Sequence, residues 1–344
     1  MINLKKKLLP CKNEIKKILF RKKIKMLKFI NKNITFQWVL FLILLALSIY
    51  HILTKTQISH TEGCAFLYIS FAHLFSQYEY LGKGLIIVVL LLQLLFLQYY
   101  FNKNDYSPKT SLLPACFYIS ILLLTKSLHH ISPFFFTLFF LLVIICIEFT
   151  ESSVKLKNNV FWAGILVALA TCFDISSIII FFLLIATLII NQFSRIKEIG
   201  ILLFGVALPY FYFFSYHFIT NNLNEWILTF QQINIFGVLN IPVANLSRTL
   251  FSLIILGIVY LFFIIRFKIL SETKVAIQRN RIVTLNTRAV LMLGCILISN
   301  SLYPVVLGYL FIHISIYLAM LMQEKSPLFI NEVITIITLV ALWL

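Results

Sequence analysis

Residues 83–101 read KGLIIVVLLLQLLFLQYYF, and this stretch decides the fold. After the first lysine it carries no charge, and apolar side chains occupy every side of a helix drawn through it. An α-helix needs about 20 such residues to cross the hydrocarbon layer of a bilayer. Only helices and closed barrels satisfy the backbone in lipid, and barrel strands would alternate with period two, which this run does not. The stretch therefore predicts a membrane-spanning helix.

Ten further runs share this character, and together they predict eleven spans within a range of nine to twelve. The predicted spans are 36–53, 83–101, 112–128, 133–149, 159–173, 175–192, 198–219, 250–265, 289–303, 305–322 and 328–344. Of the 344 residues, 61% are apolar and 12% are charged, whereas soluble domains carry about 25% charged residues. The sequence predicts an all-α polytopic membrane helical bundle, with a single transmembrane domain over 36–344 after a basic segment over 1–35.

Lysine and arginine are concentrated in alternate loops. About 25 of the 29 lie in six segments: 1–35, 102–111, 150–158, 193–198, 266–288 and 323–327. The remaining loops hold only Lys55, Lys83, Lys126 and Arg248. Because cytoplasmic loops carry the basic excess in membrane proteins, this pattern places the N-terminus in the cytoplasm. The net charge of +17 then serves topology and contact with anionic lipid head groups, and no nucleic-acid partner is predicted.

Segments at the two membrane surfaces extend beyond the spans. In 1–35, apolar residues recur at near-helical spacing between lysines, which favours an amphipathic helix on the inner leaflet. The alternatives are a solvated tail and a true start at Met26. On the outer side, 54–82 and 220–249 each carry an apolar stripe too short to span. Both are predicted to be interfacial helices that roof an outward cavity.

Glu62 is the leading candidate for chemistry on the predicted outer side. It follows the first span, near His60, and opens the predicted surface helix. A carboxylate over a membrane cavity suits a general base or a ligand of a divalent metal. The alternative is an acid that only complements the helix dipole. The six cysteines form no CxxC or Cys/His cluster, so no motif supports a resident metal and no cofactor is predicted.

Five other outer residues form the candidate set for substrate binding: His60, Arg248, Asp174, His129 and His130. Arg248, the only outer arginine, suits a phosphate clamp, or it anchors its span at the head groups. Asp174 either caps the following span or lines the cavity. His129 and His130 occupy an outer turn. Adjacent histidines on a helix point about 100° apart and chelate one metal poorly, so interfacial polar contacts are their alternative role.

The stretch His60-Thr61-Glu62-Gly63-Cys64-Ala65-Phe66 resembles the acidic motif of GT-C glycosyltransferases. In that superfamily an acid in the first outer loop serves as catalytic base or binds metal, the loop caps the cavity, and a large helical bundle binds a polyprenyl-phosphate sugar. The usual paired acid is replaced by Thr61 in this chain. The resemblance implies Glu62 as the catalytic acid and a polyprenyl-phosphate lipid as partner.

Two further stretches, NVFWAGILVALA at 159–170 and LFGVALPYFY at 203–212, are similar to an uncharacterised family of bacterial multi-pass inner-membrane proteins. This resemblance implies a location in the cell envelope, and it implies no reaction. Within the second stretch, the sequence from Gly205 to Pro209 predicts close helix packing with a kink.

Three hypotheses about function follow. The first is a GT-C-like enzyme that acts on a lipid-linked envelope glycan at the extracytoplasmic face, with Glu62 as the acid and Arg248 on the phosphate. The second is a non-catalytic subunit of an envelope assembly or secretion complex, with membrane-protein partners. The third is a transporter, which the lack of paired mid-membrane charges and of Gly/Pro-broken helices disfavours.

Overall fold

The computed structural model describes residues 34–58, 66–104, 106, 111–125, 128, 130–131, 133–147, 153–190, 196–221, 261–263, 265–266, 279, 282–288, 290–291 and 303–323. Apart from two strands of two residues each, the regular structure of these residues is helical. The main elements are α1 (Ile34–Lys55), β1 (Gln57–Ile58), α2 (Phe66–Gln77), α3 (Glu79–Lys103), α4 (Leu113–Leu124), β2 (His130–Ile131), α5 (Pro133–Cys146), α6 (Ser153–Phe173), a 3-10 turn (Ile175–Ile178), α7 (Ile179–Ile190), α8 (Ile196–Ile219) and α9 (Tyr303–Gln323). Residues 282–288 are also helical.

The chain is a helical membrane protein. Helices α1, α3, α6 and α8 are long and apolar enough to cross a membrane, α4, α5 and α7 are shorter apolar helices, and α9 contains the apolar stretch Tyr309–Met322. Each of these eight helices falls on a predicted span. The predicted spans 250–265, 289–303 and 328–344 lie wholly or largely outside the described residues, as do the segments 1–35 and 220–249.

Several helix boundaries differ from the predicted spans. Helix α3 begins at Glu79 instead of 83, and α6 begins at Ser153 instead of 159. The reason is that hydropathy detects the edge of the lipid, whereas lysine and glutamate continue a helix into water at little cost. Residues 175–178, predicted as the start of a span, form a tight 3-10 turn before α7.

Contacts between helix termini define two opposite ends of the bundle. At one end, Nζ of Lys83 donates to the carbonyl oxygen of Leu53 at 2.8 Å, and β1 pairs in parallel with β2. At the other end, the backbone N–H of Leu112 donates to Oε1 of Gln37 at 3.0 Å. The same helix ends are grouped together by the charge pattern. We call them the outer and inner ends, after the sides predicted from charge.

A buried amide joins three helices in the core. Gln93 of α3 is 0% exposed. Its Nε2 donates to the carbonyl oxygen of Phe135 in α5 at 2.7 Å, and its Oε1 accepts from the hydroxyl of Tyr118 in α4 at 3.0 Å. Unsatisfied polar groups are costly in a hydrocarbon surrounding, so these two bonds favour one arrangement of α3, α4 and α5.

Helices α6 and α8 cross in direct backbone contact at Gly164 and Gly205. A Cβ added at either glycine would lie 2.5 Å from a backbone carbonyl oxygen of the other helix. Beyond this crossing, toward the outer end, the hydroxyls of Thr171 and Tyr210 share a hydrogen bond of 2.6 Å. Small residues permit such approach in membranes. The close packing predicted at Gly205 is confirmed.

Candidate functional site

Helix α2 packs at the outer end with one face buried. Tyr68 is 1% exposed, and Phe71 and Phe75 are also buried, whereas Ile69 and Leu74 are exposed. Helix α2 contacts α3 and α6. A helix predicted within 54–82 is therefore present. Its combination of a packed apolar face and exposed apolar residues suits a position at the membrane surface.

Four aromatic side chains connect α2 to α5 and α6, and we call them the outer aromatic cluster. The ring centroid of Phe136 lies 4.6 Å from that of Phe71 and 6.3 Å from that of Tyr68. Phe136 also stacks on Phe173 at 5.2 Å with an interplanar angle of 16°. Such aromatic pairs stabilise contacts beyond the area that they bury. Three separate segments of the chain are thereby fixed to one another at the outer end.

The predicted site residues other than Arg248 lie close to members of this cluster in the sequence. Glu62, His60, Arg248 and His129 are outside the described residues, and the side chain of His130 is also outside them. The backbone of His130 pairs with Gln57 in the β1–β2 ladder. The sequence alone gave no sign of this short ladder. It brings the segment after α1, which leads to Glu62, beside the segment that leads into α5.

Asp174 joins α6 to the 3-10 turn. Its backbone N–H donates to the carbonyl oxygen of Ala170 at 2.9 Å, and its own carbonyl oxygen accepts from the N–H of Ser177 at 3.0 Å. It is half-buried and directly follows Phe173 of the outer aromatic cluster. The structure therefore places Asp174 at the junction before the next helical turn, and its roles as a cap or a cavity acid stay predictions.

One carboxylate at the outer end forms an ion pair within the described residues. Glu79, at the first position of α3, lies 2.5 Å from Nζ of Lys83, one helical turn later. The ammonium of Lys83 is mostly buried, and it also donates to the carbonyl oxygen of Leu53. Glu79 thus compensates a buried cation that links α3 to α1, which is a structural role.

A second group of polar side chains is buried between α3, α7, the helical residues 282–288 and α9. We call it the inner polar cluster. Its members are Tyr100, Tyr106, Thr187, Asn286, Arg288, Tyr309, His313 and Tyr317. Tyr100 and Thr187 lie in the inner halves of α3 and α7.

Arg288 contributes a buried cation to the inner polar cluster. It is 6% exposed, and its Nε donates to Oγ1 of Thr187 at 3.2 Å. The same hydroxyl donates to the carbonyl oxygen of Leu183, one turn earlier in α7, at 2.7 Å. No carboxylate of the described residues forms an ion pair with Arg288. Within the described part of the chain, the guanidinium is therefore held by a neutral partner.

His313 presents an open nitrogen beside this cation. Its Nδ1 donates to the carbonyl oxygen of Tyr309 at 3.0 Å, which leaves Nε2 as the acceptor of a neutral ring. The imidazole is 0% exposed and stacks on the Tyr309 ring at 4.1 Å. Nε2 of His313 and the hydroxyl of Tyr309 have no hydrogen-bond partner among the described residues.

Tyr106 connects the inner polar cluster to α3. Its hydroxyl shares a hydrogen bond of 3.1 Å with that of Tyr100. Burial raises the pKa of Tyr106 well above its usual value, the nearby Tyr100 and Tyr317 raise this pKa further, and Arg288 acts in the opposite direction. The phenol is therefore neutral at physiological pH. The cluster accordingly offers one fixed cation, neutral hydroxyls and an open imidazole nitrogen.

Sequence reasoning missed the inner polar cluster. His313 lies in the predicted span 305–322, and an ionisable residue inside a span is a signal that points to a polar cluster. Arg288 was assigned to the basic loop 266–288, although it lies at its very end. Hydropathy separates loops from spans but does not show which loop residues fold back against the bundle.

The described residues contain no group of three His, Cys, Asp or Glu side chains that could hold a metal ion. A role of Glu62 as a metal ligand stays a prediction. Comparison of the chain with protein-family models, with characterised proteins and with solved structures gives no match.

Proposed function

We propose that the chain is a GT-C-like membrane enzyme that acts on a lipid-linked sugar at the extracytoplasmic face of a bacterial inner membrane. Glu62 is the acid, and Arg248 holds the phosphate. The observation that supports this proposal is the meeting of three segments at the outer aromatic cluster. The three segments lead from Glu62 into α2, from His130 into α5, and out of α6 to Asp174.

The docking of α2 also supports the proposal. The stretch around Glu62 resembles the GT-C motif, which stands at the head of a surface helix after the first span, and α2 is a helix in that place. The helix is held by buried contacts of Tyr68 and Phe71, and β1 with β2 holds the chain before it. The Glu62 segment therefore joins two fixed elements. Catalytic groups require supports of this kind, because reacting atoms must be held at about 3–3.5 Å.

The proposed reaction is glycosyl transfer. The acceptor hydroxyl oxygen forms a bond to the anomeric carbon, and the bond from that carbon to the phosphate oxygen breaks. Glu62 takes the proton of the hydroxyl as general base, and the polyprenyl phosphate leaves with the bonding electron pair. Arg248 stabilises the charge on the departing phosphate through charge-assisted hydrogen bonds. His60, His129, His130 and Asp174 contact the sugar or the acceptor.

The test compares Glu62→Gln with Glu79→Gln in source cells whose own copy of the gene is deleted. Both variants remove one outer-end carboxylate and keep its shape, but Glu79 has a structural partner in Lys83. We expect Glu62→Gln to abolish rescue at unchanged abundance and to accumulate a polyprenyl-phosphate sugar, measured by mass spectrometry of extracted lipids. We expect Glu79→Gln to rescue, with any loss confined to abundance.

Two outcomes would contradict the proposal. Full rescue by Glu62→Gln would show that the acid only favours the start of a helix. Loss of rescue with unchanged lipid-linked sugars, together with co-purification of a fixed membrane partner, would instead support a non-catalytic subunit.

A further inference from the structure

Helices α6 and α8 form an open groove on the inner side of their glycine crossing. The groove has a volume of about 560 Å³. Helix α6 contributes Lys157, Asn158 and Phe161, and α8 contributes Lys197, Gly200, Ile201 and Phe204. The groove therefore lies between the two helices, on the inner side of the contact of Gly164 with Gly205.

The two lysines lie at the same depth. Lys157 precedes Gly164 by seven residues, and Lys197 precedes Gly205 by eight. At 1.5 Å per residue, each lysine lies about 10–12 Å from the crossing. Both helices begin at the inner end, so the two lysines line the groove from different helices near its inner mouth.

Both lysines are free of ion pairs within the described residues. The neighbouring acid, Glu198, is 5% exposed and does not line the groove. The groove mouth therefore carries two positive charges that no described side chain neutralises. An anion placed between them would be attracted electrostatically by both ammonium groups.

Apart from Asn158, the rest of the groove lining is apolar. The ring centroids of Phe161 and Phe204 lie 6.2 Å apart in a stacked arrangement, and Phe204 is exposed. Both rings come after the lysines in their helices, toward the glycine crossing. Gly200 opens the wall between the helices, because a Cβ added there would meet no atom within 4 Å. A ligand for this groove needs a negative head at the level of the lysines and a hydrocarbon part that runs along the two rings.

We propose that this groove binds one anionic phospholipid, with its phosphate between Lys157 and Lys197 and an acyl chain against Phe161 and Phe204. Basic pockets between membrane helices on the cytoplasmic side hold such head groups, and both lysines lie in segments that the charge pattern assigns to that side. This proposal does not depend on the proposed reaction.

The first test titrates the purified full-length protein with phosphatidylglycerol and counts bound lipid by native mass spectrometry. Lys157→Gln and Lys197→Gln should each weaken binding about fivefold, and the double variant about thirtyfold, the effect expected for basic residues at an anionic lipid head group. The control is Lys155→Gln, which removes an exposed charge of α6 that does not line the groove. It should bind within about twofold of the original protein.

A second test fills the groove and leaves the charges in place. Gly200→Leu should abolish the bound lipid, because the new side chain occupies the space between the helices. Gly84→Leu is the matched control, since a Cβ at Gly84 also meets no atom within 4 Å but lies in α3. Both changes favour the helical state, so neither variant is expected to unfold.

Three results would overturn the proposal. One is equal binding of phosphatidylglycerol by the double lysine variant and the original protein. Another is equal retention of phosphatidylcholine, which would show an apolar groove without charge recognition. The last is displacement of the lipid by inorganic phosphate at the same concentration, which would indicate a site for a free anion.

Discussion

The crossing of α6 and α8 predicts that two glycines are sensitive to the smallest substitution. Gly164→Ala or Gly205→Ala places a methyl group 2.5 Å from a backbone carbonyl oxygen of the facing helix. An ordinary contact begins at 3.4 Å, so the helices must separate by about 0.9 Å locally. Backbone atoms make this contact, and a rotamer change cannot relieve it.

The expected free-energy change follows from two opposing terms. Replacing glycine by alanine inside a helix stabilises it by about 1 kcal/mol, and overpacking a close contact costs about 1–3 kcal/mol. Gly200→Ala, in the same helix, has the first term without the second. The propensity term cancels in the comparison, so Gly205→Ala should be about 1–3 kcal/mol less stable than Gly200→Ala.

The assay measures unfolding of the purified protein in detergent. Heat or denaturant unfolds each single variant and the double variant. Gly164→Ala and Gly205→Ala together should cost less than the sum of their separate effects, because one separation of the helices relieves both clashes. Equal stabilities of Gly205→Ala and Gly200→Ala would refute the direct backbone contact.

Three further predictions follow from the fold. Gln93→Leu should destabilise the bundle by about 1–2 kcal/mol in the same unfolding assay, because it leaves the hydroxyl of Tyr118 without its acceptor, and adding Tyr118→Phe should recover part of the loss. A cysteine at position 174 should react with an impermeant thiol reagent from outside intact cells, whereas one at 278 should not. Labelling at 278 would show that the predicted orientation in the membrane is wrong. Truncation to Met26 should leave membrane insertion unchanged, since Lys28 and Lys32 still flank the first span, and loss of folded protein would show that 1–25 is structural.

Much of the fold could be predicted from local sequence, because hydropathy and charge are local properties. The helices α1, α3, α6 and α8 fall on predicted spans, and Gly205 was recognised as a close-packing residue. Its partner, Gly164, was not, because a sequence does not show which helices are neighbours. The pairing of β1 with β2 escaped prediction for the same reason, since two residues carry no recognisable strand pattern.

The candidate site was predictable in part. The sequence grouped Glu62, His130 and Asp174 on one side, and the described contacts bring the elements next to them together at the outer end. The inner polar cluster depends on tertiary contacts between Arg288 and α7 and between Tyr317 and Asn286. His313 inside a predicted span was a local signal of a polar site, but its partners come from distant parts of the chain with no common motif, so the sequence could not show which residues join it.

The central claim is that a lipid phosphate binds at the outer end, and photo-crosslinking tests it most directly. The probe is a polyprenyl phosphate that carries a diazirine next to the phosphate, added to the reconstituted full-length protein and mapped by peptide mass spectrometry. Labelled peptides should contain the Glu62 segment, the region around His130 or the junction at Asp174, and Arg248→Gln should reduce labelling. Labelling confined to the groove at Lys157 and Lys197, or spread evenly over the exposed helix faces, would contradict the claim.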